Sequence, residues 1–230
     1  MSAMSTEDPA PQSLAERAYD EIRRMIIRLD LAPGDVVRES RLESTLDMSR
    51  TPIREALQRL ARDHFVTVIP RRGMFVSAIE FDELPMLYET RAILEPYAAR
   101  LATERGTPHD WHEMADVLAE TTAPDKQATE LLELDRRCHE IIWRAAGNRF
   151  LTDTLDMLYA QSDRLWHIYL ADVHDMGHAV DEHASIHTAL VDGDSDGAAT
   201  LVERHVRSFD RQVRDAAAQR LGATPMAHDE

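Results

Sequence analysis

Four residues in the C-terminal part of the sequence have the types and spacing of metal ligands. Asp135 and His139 are four residues apart, so on one helix they would project from the same face. His183 and His205 follow on two later segments of helical periodicity. One carboxylate and three imidazoles suit a borderline first-row cation such as zinc, nickel or manganese better than calcium. Because 10 of the 11 histidines lie after residue 78, however, the residues alone favour ordinary surface histidines over a metal site.

A second metal-binding pattern lies between residues 192 and 203. Asp-Gly-Asp-Ser-Asp-Gly at 192–197, with Glu203 at the twelfth position, matches the calcium loop of an EF-hand. Leu201, His205 and their neighbours already form a helical face, whose beginning a calcium loop would unwind. We therefore predict an acidic turn between two helices, with Asp196 as the helix cap.

Arginine and glutamine side chains recur along one face of residues 48–62. Arg50, Arg54 and Gln58 are spaced four apart, and their guanidinium and amide groups suit base edges and phosphates. This spacing equally suits a solvated surface helix, so the neighbouring segments must decide between the two interpretations. An apolar stripe on another face of the same segment consists of Ile53, Ala56, Leu57 and Leu60.

The segments around these arginines predict a winged helix-turn-helix. Helical periodicity over residues 13–29 and 39–46, and a tight turn at 47–49, place two helices before the arginine helix. Residues 65–69 and 74–77 then read as two strands of a hairpin. Its tip carries Arg71, Arg72 and Gly73, which could lie against the DNA backbone or in the minor groove. In this arrangement the arginine helix enters the major groove.

Charge is distributed unevenly along the chain. Residues 1–78 contain 12 arginines and 12 acidic residues, so the net charge of −16 comes from residues 79–230. Phosphate contacts must therefore come from a local arginine surface in the N-terminal part, because the acidic remainder repels DNA. The single cysteine, Cys138, excludes an internal disulfide and fits a cytoplasmic protein. No apolar run is long enough to cross a membrane.

Residues 13–78 resemble the winged helix-turn-helix domain of the GntR family of transcription regulators. The motif is Ser-Arg-Thr-Pro-Ile-Arg-Glu-Ala-Leu at 49–57, preceded by Pro-Gly-Asp at 33–35 and followed by Pro-Arg-Arg-Gly-Met-Phe-Val at 70–76. The resemblance implies that Arg50, Thr51 and Arg54 contact an operator and that Gly73 sits at the wing tip. Several relatives carry an arginine where this chain has Ser40. The arginine here comes one place later, so Arg41 joins the predicted DNA contacts.

The rest of the chain predicts an all-α domain over residues 80–221, with disordered tails at 1–12 and 222–230. The fold class is therefore mainly α, a winged helix-turn-helix followed by a bundle of six to seven helices. Tyr-Glu-Thr-Arg-Ala-Ile-Leu-Glu-Pro at 88–96 and Ala-Ala-Gly-Asn at 145–148 resemble the FCD effector domain of the FadR subfamily. The predicted helices cover residues 83–104, 109–120, 126–146, 150–171, 175–191 and 198–221.

The FCD resemblance implies a divalent metal, zinc before nickel or manganese. Metal-binding members carry Asp-x-x-x-His on one helix and one histidine on each of the last two, which Asp135, His139, His183 and His205 match. His187 is a second-choice ligand or an outer partner. Arg91 matches a recurring family arginine and would be the counter-charge of a small carboxylate effector. A structural salt bridge is the alternative role for Arg91.

These expectations together describe a homodimeric, cytoplasmic transcription regulator, most simply a repressor, that binds a palindromic double-stranded operator. The alternative is a metal-dependent enzyme of small carboxylates built on the helical bundle. The sequence has no Gly-x-Ser-x-Gly elbow, phosphate-binding glycine loop or His-Glu-x-x-His pair. An enzyme also has no need of the arginine-faced winged helix, so the regulator is favoured.

Overall fold

The computed structural model describes residues 12–78, 81–121, 126–169 and 176–223. The chain divides into two compact units, Met1–Ala78 and Ile79–Glu230. The predicted tails lie outside the described residues except at their inner ends. Gln12 is described and its amide donates to Asp20 at 2.5 Å, and residues 222 and 223 belong to the last helix.

Three helices form the body of the N-terminal unit, as predicted. Helix α1 (Leu14–Ile27) begins with a capping box, because Ser13 Oγ accepts the Glu16 N–H and the Glu16 carboxylate accepts the Ser13 N–H. Helices α2 (Glu39–Leu46) and α3 (Arg50–Arg62) are joined by a turn in which Asp47 is left-handed, with φ of 49°. The apolar stripes of the three helices meet in a core that contains Ile22, Ile26, Leu42, Ile53, Leu57 and Leu60.

The wing is a three-stranded antiparallel sheet. Strands β2 (Val66–Ile69) and β3 (Gly73–Val76) form the predicted hairpin, in which Ile69 pairs with Gly73. Gly73 has φ of 107°, a backbone conformation that favours glycine. Strand β1 (Val36–Val37) pairs with the other edge of β3 and was not predicted from the sequence. Two residues are too few to show an alternating pattern.

The C-terminal unit consists of helices, which confirms the predicted fold class. A 3-10 turn (Phe81–Glu83) leads into six α-helices within the described residues. Their bounds are α4 (Leu84–Arg105), α5 (Pro108–Thr121), α6 (Ala128–Ala145), α7 (Arg149–Tyr169), α8 (Met176–Val191) and α9 (Ser195–Ala223).

One predicted cap was wrong by two residues. Helix α9 begins at Ser195, so Asp196 lies in its first turn and Asp194 is the residue before the helix. Asp194 Oδ1 accepts the Gly197 N–H at 2.9 Å. Most of the segment that resembles a calcium loop is therefore helical, as the helical face of its later residues predicted.

The core of the C-terminal unit brings together the helices that carry the predicted metal ligands. Helix α4 packs along α9 and also contacts α6 and α7, while α8 packs against α9 and α6. The buried apolar residues include Met114, Leu132, Trp143, Leu155 and Val206. Among the described helices, none is both long enough and apolar enough to cross a membrane.

Candidate metal centre and nucleic-acid interface

Asp135, His139, His183 and His205 meet inside the C-terminal unit. Helix α6 supplies the aspartate and the first histidine from one face, and α8 and α9 supply one histidine each. All four side chains are buried, and one ligand atom from each lies within 4.8 Å of those from the others. Residues separated by up to 70 positions in sequence thus form a single polar cluster in an apolar core.

The Nε2 atoms of the three histidines point into this cluster. Asp135 Oδ1 lies 2.8 Å from His183 Nε2 and 3.3 Å from His205 Nε2. His139 Nε2 and His205 Nε2 are 3.2 Å apart. Two imidazole nitrogens at this distance repel each other when both present a lone pair, so a proton or a cation between them is required.

Two carboxylates lie against the Nδ1 atoms of two of the three histidines. His205 Nδ1 donates to Glu182 Oε2 at 2.9 Å, and His139 Nδ1 lies 2.7 Å from Glu95 Oε2. A carboxylate beside Nδ1 favours the tautomer that leaves the Nε2 lone pair facing inward, as in histidines that bind metals. The buried donor set therefore fits a divalent cation. Glu95 and Glu182 were not predicted from the sequence, although Glu95 lies one helical turn after Arg91.

Tyr159 completes the hydrogen bonds of the central carboxylate. Its hydroxyl donates to Asp135 Oδ2 at 2.6 Å, on the side of the carboxylate opposite to Oδ1. Tyr159 was not predicted from the sequence either, because nothing in the pattern of α7 distinguishes it from an ordinary core tyrosine. Asp135 Oδ1 is thus the oxygen shared by His183 and His205, while Oδ2 accepts the tyrosine hydroxyl.

The electrostatics keep the central carboxylate ionised. Burial alone would raise the pKa of Asp135, but the charge and hydrogen bonds of His183 and His205 outweigh burial and hold that pKa well below its usual range. Burial would also raise the pKa of Glu95, but the neighbouring Arg91 and His139 outweigh burial, and that pKa falls to about 2. The ionised carboxylates of Asp135, among the histidines, and of Glu95, behind His139, give the site a negative charge that favours a cation.

In the described part of the chain, Arg91 contacts two residues that support the cluster, Glu95 and Tyr159, and not the four candidate ligands themselves. It is buried, its Nε donates to Glu95 Oε1 at 2.6 Å, and its guanidinium carbon lies 4.9 Å from the centre of the Tyr159 ring. Among the described residues no acceptor is bonded to its terminal nitrogens. His187, by contrast, is engaged elsewhere, since its Nε2 lies 2.9 Å from the Trp111 carbonyl oxygen.

The N-terminal unit exposes every residue predicted to contact DNA. Helix α3 exposes Arg50, Thr51 and Arg54 from its first two turns. Two of these arginines are paired with acidic residues of α2, because Arg50 Nε donates to Glu43 at 2.8 Å and Arg54 Nε donates to Glu39. The remaining predicted contacts are exposed on α2 and at the wing tip, namely Arg41, Arg71, Arg72 and Gly73.

Two family models match the two units of the chain. Residues 14–76 match the model described as bacterial regulatory proteins, gntR family, and residues 86–208 match the FCD domain. The solved structure of Escherichia coli McbR/YncC superimposes with a TM-score of 0.79 and 21% identity, covering 91% of this chain and 99% of that one. That likeness supports the fold.

Curated relatives match over most of their length. The Nta operon transcriptional regulator of Aminobacter aminovorans is 31% identical over 190 residues, which span 82% of this chain and 89% of the relative. The HTH-type transcriptional repressor RspR of Escherichia coli K12 is 25% identical, over 88% of this chain and 90% of the relative. Both the helix-turn-helix and the bundle are included in these matches. The chain therefore belongs to the GntR family of DNA-binding transcriptional regulators, with a winged helix-turn-helix followed by an FCD domain.

Proposed function

We propose that this regulator is a cytoplasmic, homodimeric repressor whose FCD domain binds one divalent metal ion and a small organic acid. The observation that carries the proposal is the meeting of Asp135 with three inward-facing histidine Nε2 atoms in a buried cluster. A relative at 25% identity is named a repressor, which favours repression over activation.

The metal would be held by Asp135, His139, His183 and His205. Zinc is the first candidate and nickel or manganese the alternatives, because one carboxylate and three imidazoles are borderline ligands. Glu95 and Glu182 fix the ring orientations from outside the cluster. A bound ion would supply a Lewis-acidic position to which one carboxylate oxygen of the effector attaches.

Arg91 is the counter-charge for that effector. Its Nε is bonded to Glu95, whereas the paired terminal nitrogens have the geometry that binds a carboxylate with two hydrogen bonds. Arg91 would therefore bind two carboxylates, that of Glu95 through Nε and that of the effector through its two terminal nitrogens. This arrangement favours an organic acid over a neutral ligand of the same size.

A second copy of the chain would cover an apolar stripe on α4. Met86, Ile93 and Tyr97 are each more than half exposed, and their spacing of seven and four places them on one side of the helix. A helix face of this kind is stabilised when it is buried against another surface. Two-fold symmetry would then match two winged units to the half-sites of a palindromic operator.

The proposal is tested by measuring whether a small organic acid releases the protein from its operator. The full-length protein loaded with zinc should lose affinity for its operator when an effector acid is added, and the same acid should bind more weakly to the DNA-bound protein. Fluorescence anisotropy of labelled operator, titrated with a panel of small carboxylates, measures this coupling. The proposal is wrong if no acid changes operator affinity in the metal-loaded protein.

A further inference from the structure

Two glutamates of α2 face two arginines of α3 in the DNA-binding unit. Glu39 and Glu43 are four residues apart on α2, and their partners are four apart on α3, so each pair lies on one side of its helix. Arg50 Nε donates to Glu43 Oε1 at 2.8 Å and lies 3.6 Å from Glu39 Oε2, while Glu39 also accepts from Arg54. The four charges sum to zero on the surface that is predicted to meet the operator.

Glu43 is the main partner of Arg50 in this group. It makes the shorter of the two contacts with Arg50 Nε, and the hydrogen bond between them is the largest cause of the raised pKa of Arg50. The Arg50 side chain is nevertheless 57% exposed. Because Nε is engaged and more than half of the side chain is in solvent, the terminal nitrogens of the guanidinium remain available to a second partner.

The start of α3 would bind phosphate strongly without Glu43. Its first turn is Arg-Thr-Pro-Ile, so the positive end of the helix dipole and the charge of Arg50 coincide. Helix N-termini and arginines both bind phosphates whatever the base sequence. The Glu43 carboxylate opposes that contact, because a phosphate brought close to Arg50 would also approach Glu43. A guanine base is uncharged and is not repelled in this way.

We infer that Glu43 is a specificity-determining residue for DNA, because it holds Arg50 by Nε so that the terminal nitrogens bind a guanine, and because it disfavours contact of Arg50 with phosphate. The inference rests on the predicted contact of Arg50 with the operator. Two hydrogen bonds from the terminal nitrogens fit the O6 and N7 acceptors of guanine. Glu43 therefore lowers affinity for random duplex more than affinity for the operator, and each operator half-site contains a guanine that depends on Arg50.

In vitro selection from a random duplex library tests the inference with the full-length protein. The wild type should select a palindromic consensus in which one guanine per half-site loses its preference in Arg50→Ala. Glu43→Ala removes both the charge and the hydrogen-bond acceptor. We expect this variant to prefer guanine at the same position roughly fivefold less than the wild type does, or weaker still. An unchanged preference in Glu43→Ala, together with a lost preference in Arg50→Ala, would overturn the inference.

Affinity for a mixed-sequence duplex should change in the opposite direction. In Glu43→Ala the guanidinium of Arg50 is free to bind a phosphate, so this affinity should rise by roughly fivefold to tenfold at 0.1 M salt. The slope of log affinity against log salt should steepen by about one per chain. In the Arg50→Ala background, Glu43→Ala should raise the affinity less and leave the slope unchanged. Equal changes in both backgrounds would show that Glu43 only repels DNA and would overturn the inference.

Two controls separate base selection from the loss of a carboxylate and from folding. Glu21→Ala removes a carboxylate that pairs with Arg24 on α1, and it should select the wild-type consensus. Glu43→Ala should unfold close to the wild-type temperature, because an exposed ion pair adds little to stability. A lower unfolding temperature with an unchanged consensus would show a structural role and overturn the inference alone. If Arg50→Ala itself selects the wild-type consensus, the predicted operator contact of Arg50 fails, and this inference fails with it.

Discussion

Glu39 holds Arg54 by the Nε edge of its guanidinium. Both carboxylate oxygens of Glu39 lie within hydrogen-bond distance of Arg54 Nε, at 3.0 and 2.9 Å. Because Nε is used in this contact, the paired terminal nitrogens remain the edge that can bind a guanine through O6 and N7. The ion pair between α2 and α3 therefore sets the orientation of a side chain that the family motif assigns to the operator.

Arg54→Ala should remove operator recognition without unfolding the protein. The side chain is exposed, so its loss leaves the core of the N-terminal unit intact. We expect operator affinity to fall by roughly 1–3 kcal/mol, the usual contribution of a bidentate arginine–guanine contact. Fluorescence anisotropy measures the affinity. Arg62→Ala, at the other end of α3, is the control for losing one positive charge. An equal loss of operator affinity in both variants would contradict the assignment of Arg54 to a base contact.

Glu39→Ala should make DNA binding less selective. Removing the carboxylate frees the Arg54 side chain, so operator affinity should fall relative to affinity for random duplex. Affinity for random duplex should rise, because one negative charge near the phosphates is lost. Both affinities can be measured at several salt concentrations. A parallel rise in both would show that Glu39 only repels DNA and does not position Arg54.

Local patterns were sufficient to predict the helices but not the pairings between them. The capped stripe of α1 and the arginine face of α3 are properties of consecutive residues, and both were predicted correctly. Strand β1 is held by pairing with β3, which lies more than 30 residues later, so its two valines carry no local signal. Tertiary pairing of this kind is invisible to periodicity.

The candidate site shows the same division. The resemblance to the FCD domain predicted Asp135 and the three histidines as ligands, and the structure places these four residues in one cluster. Glu95, Glu182 and Tyr159 act through contacts between different helices, and single acidic or aromatic residues in a helix do not reveal which neighbour they will meet. The cap at Asp194 was missed because three aspartates at alternate positions compete for that role.

Glu182→Gln should weaken metal binding while keeping the fold. The carboxylate accepts the His205 Nδ1–H, and substitutions of such outer partners reduce metal affinity by roughly 10- to 100-fold. Competition with a chromophoric chelator measures the affinity. Glu203→Gln is the control on the next helix, since Glu203 pairs with Arg207 at the surface. Equal affinities in the two variants would contradict the supporting role of Glu182.

Ile93→Glu should disrupt the proposed dimer. Ile93 is 66% exposed in the single chain, so a glutamate there costs little in the monomer, but a dimer would have to bury its charge. Light scattering after size exclusion should show a monomer, and affinity for a palindromic operator should fall. Phe150→Glu, on a residue of α7 that is 70% exposed, should remain dimeric. An unchanged dimer in the Ile93 variant would exclude α4 as the interface.

The metal content of the purified protein tests the central claim most directly. Protein prepared without chelator or added metal, and analysed by inductively coupled plasma mass spectrometry, should contain about one divalent ion per chain, because the four converging ligands form one site. His183→Ala should lower that content. His187→Ala, one turn further along α8 and bonded to the Trp111 carbonyl, should keep it. A wild-type protein that stays metal-free after dialysis against zinc, nickel and manganese would contradict the account.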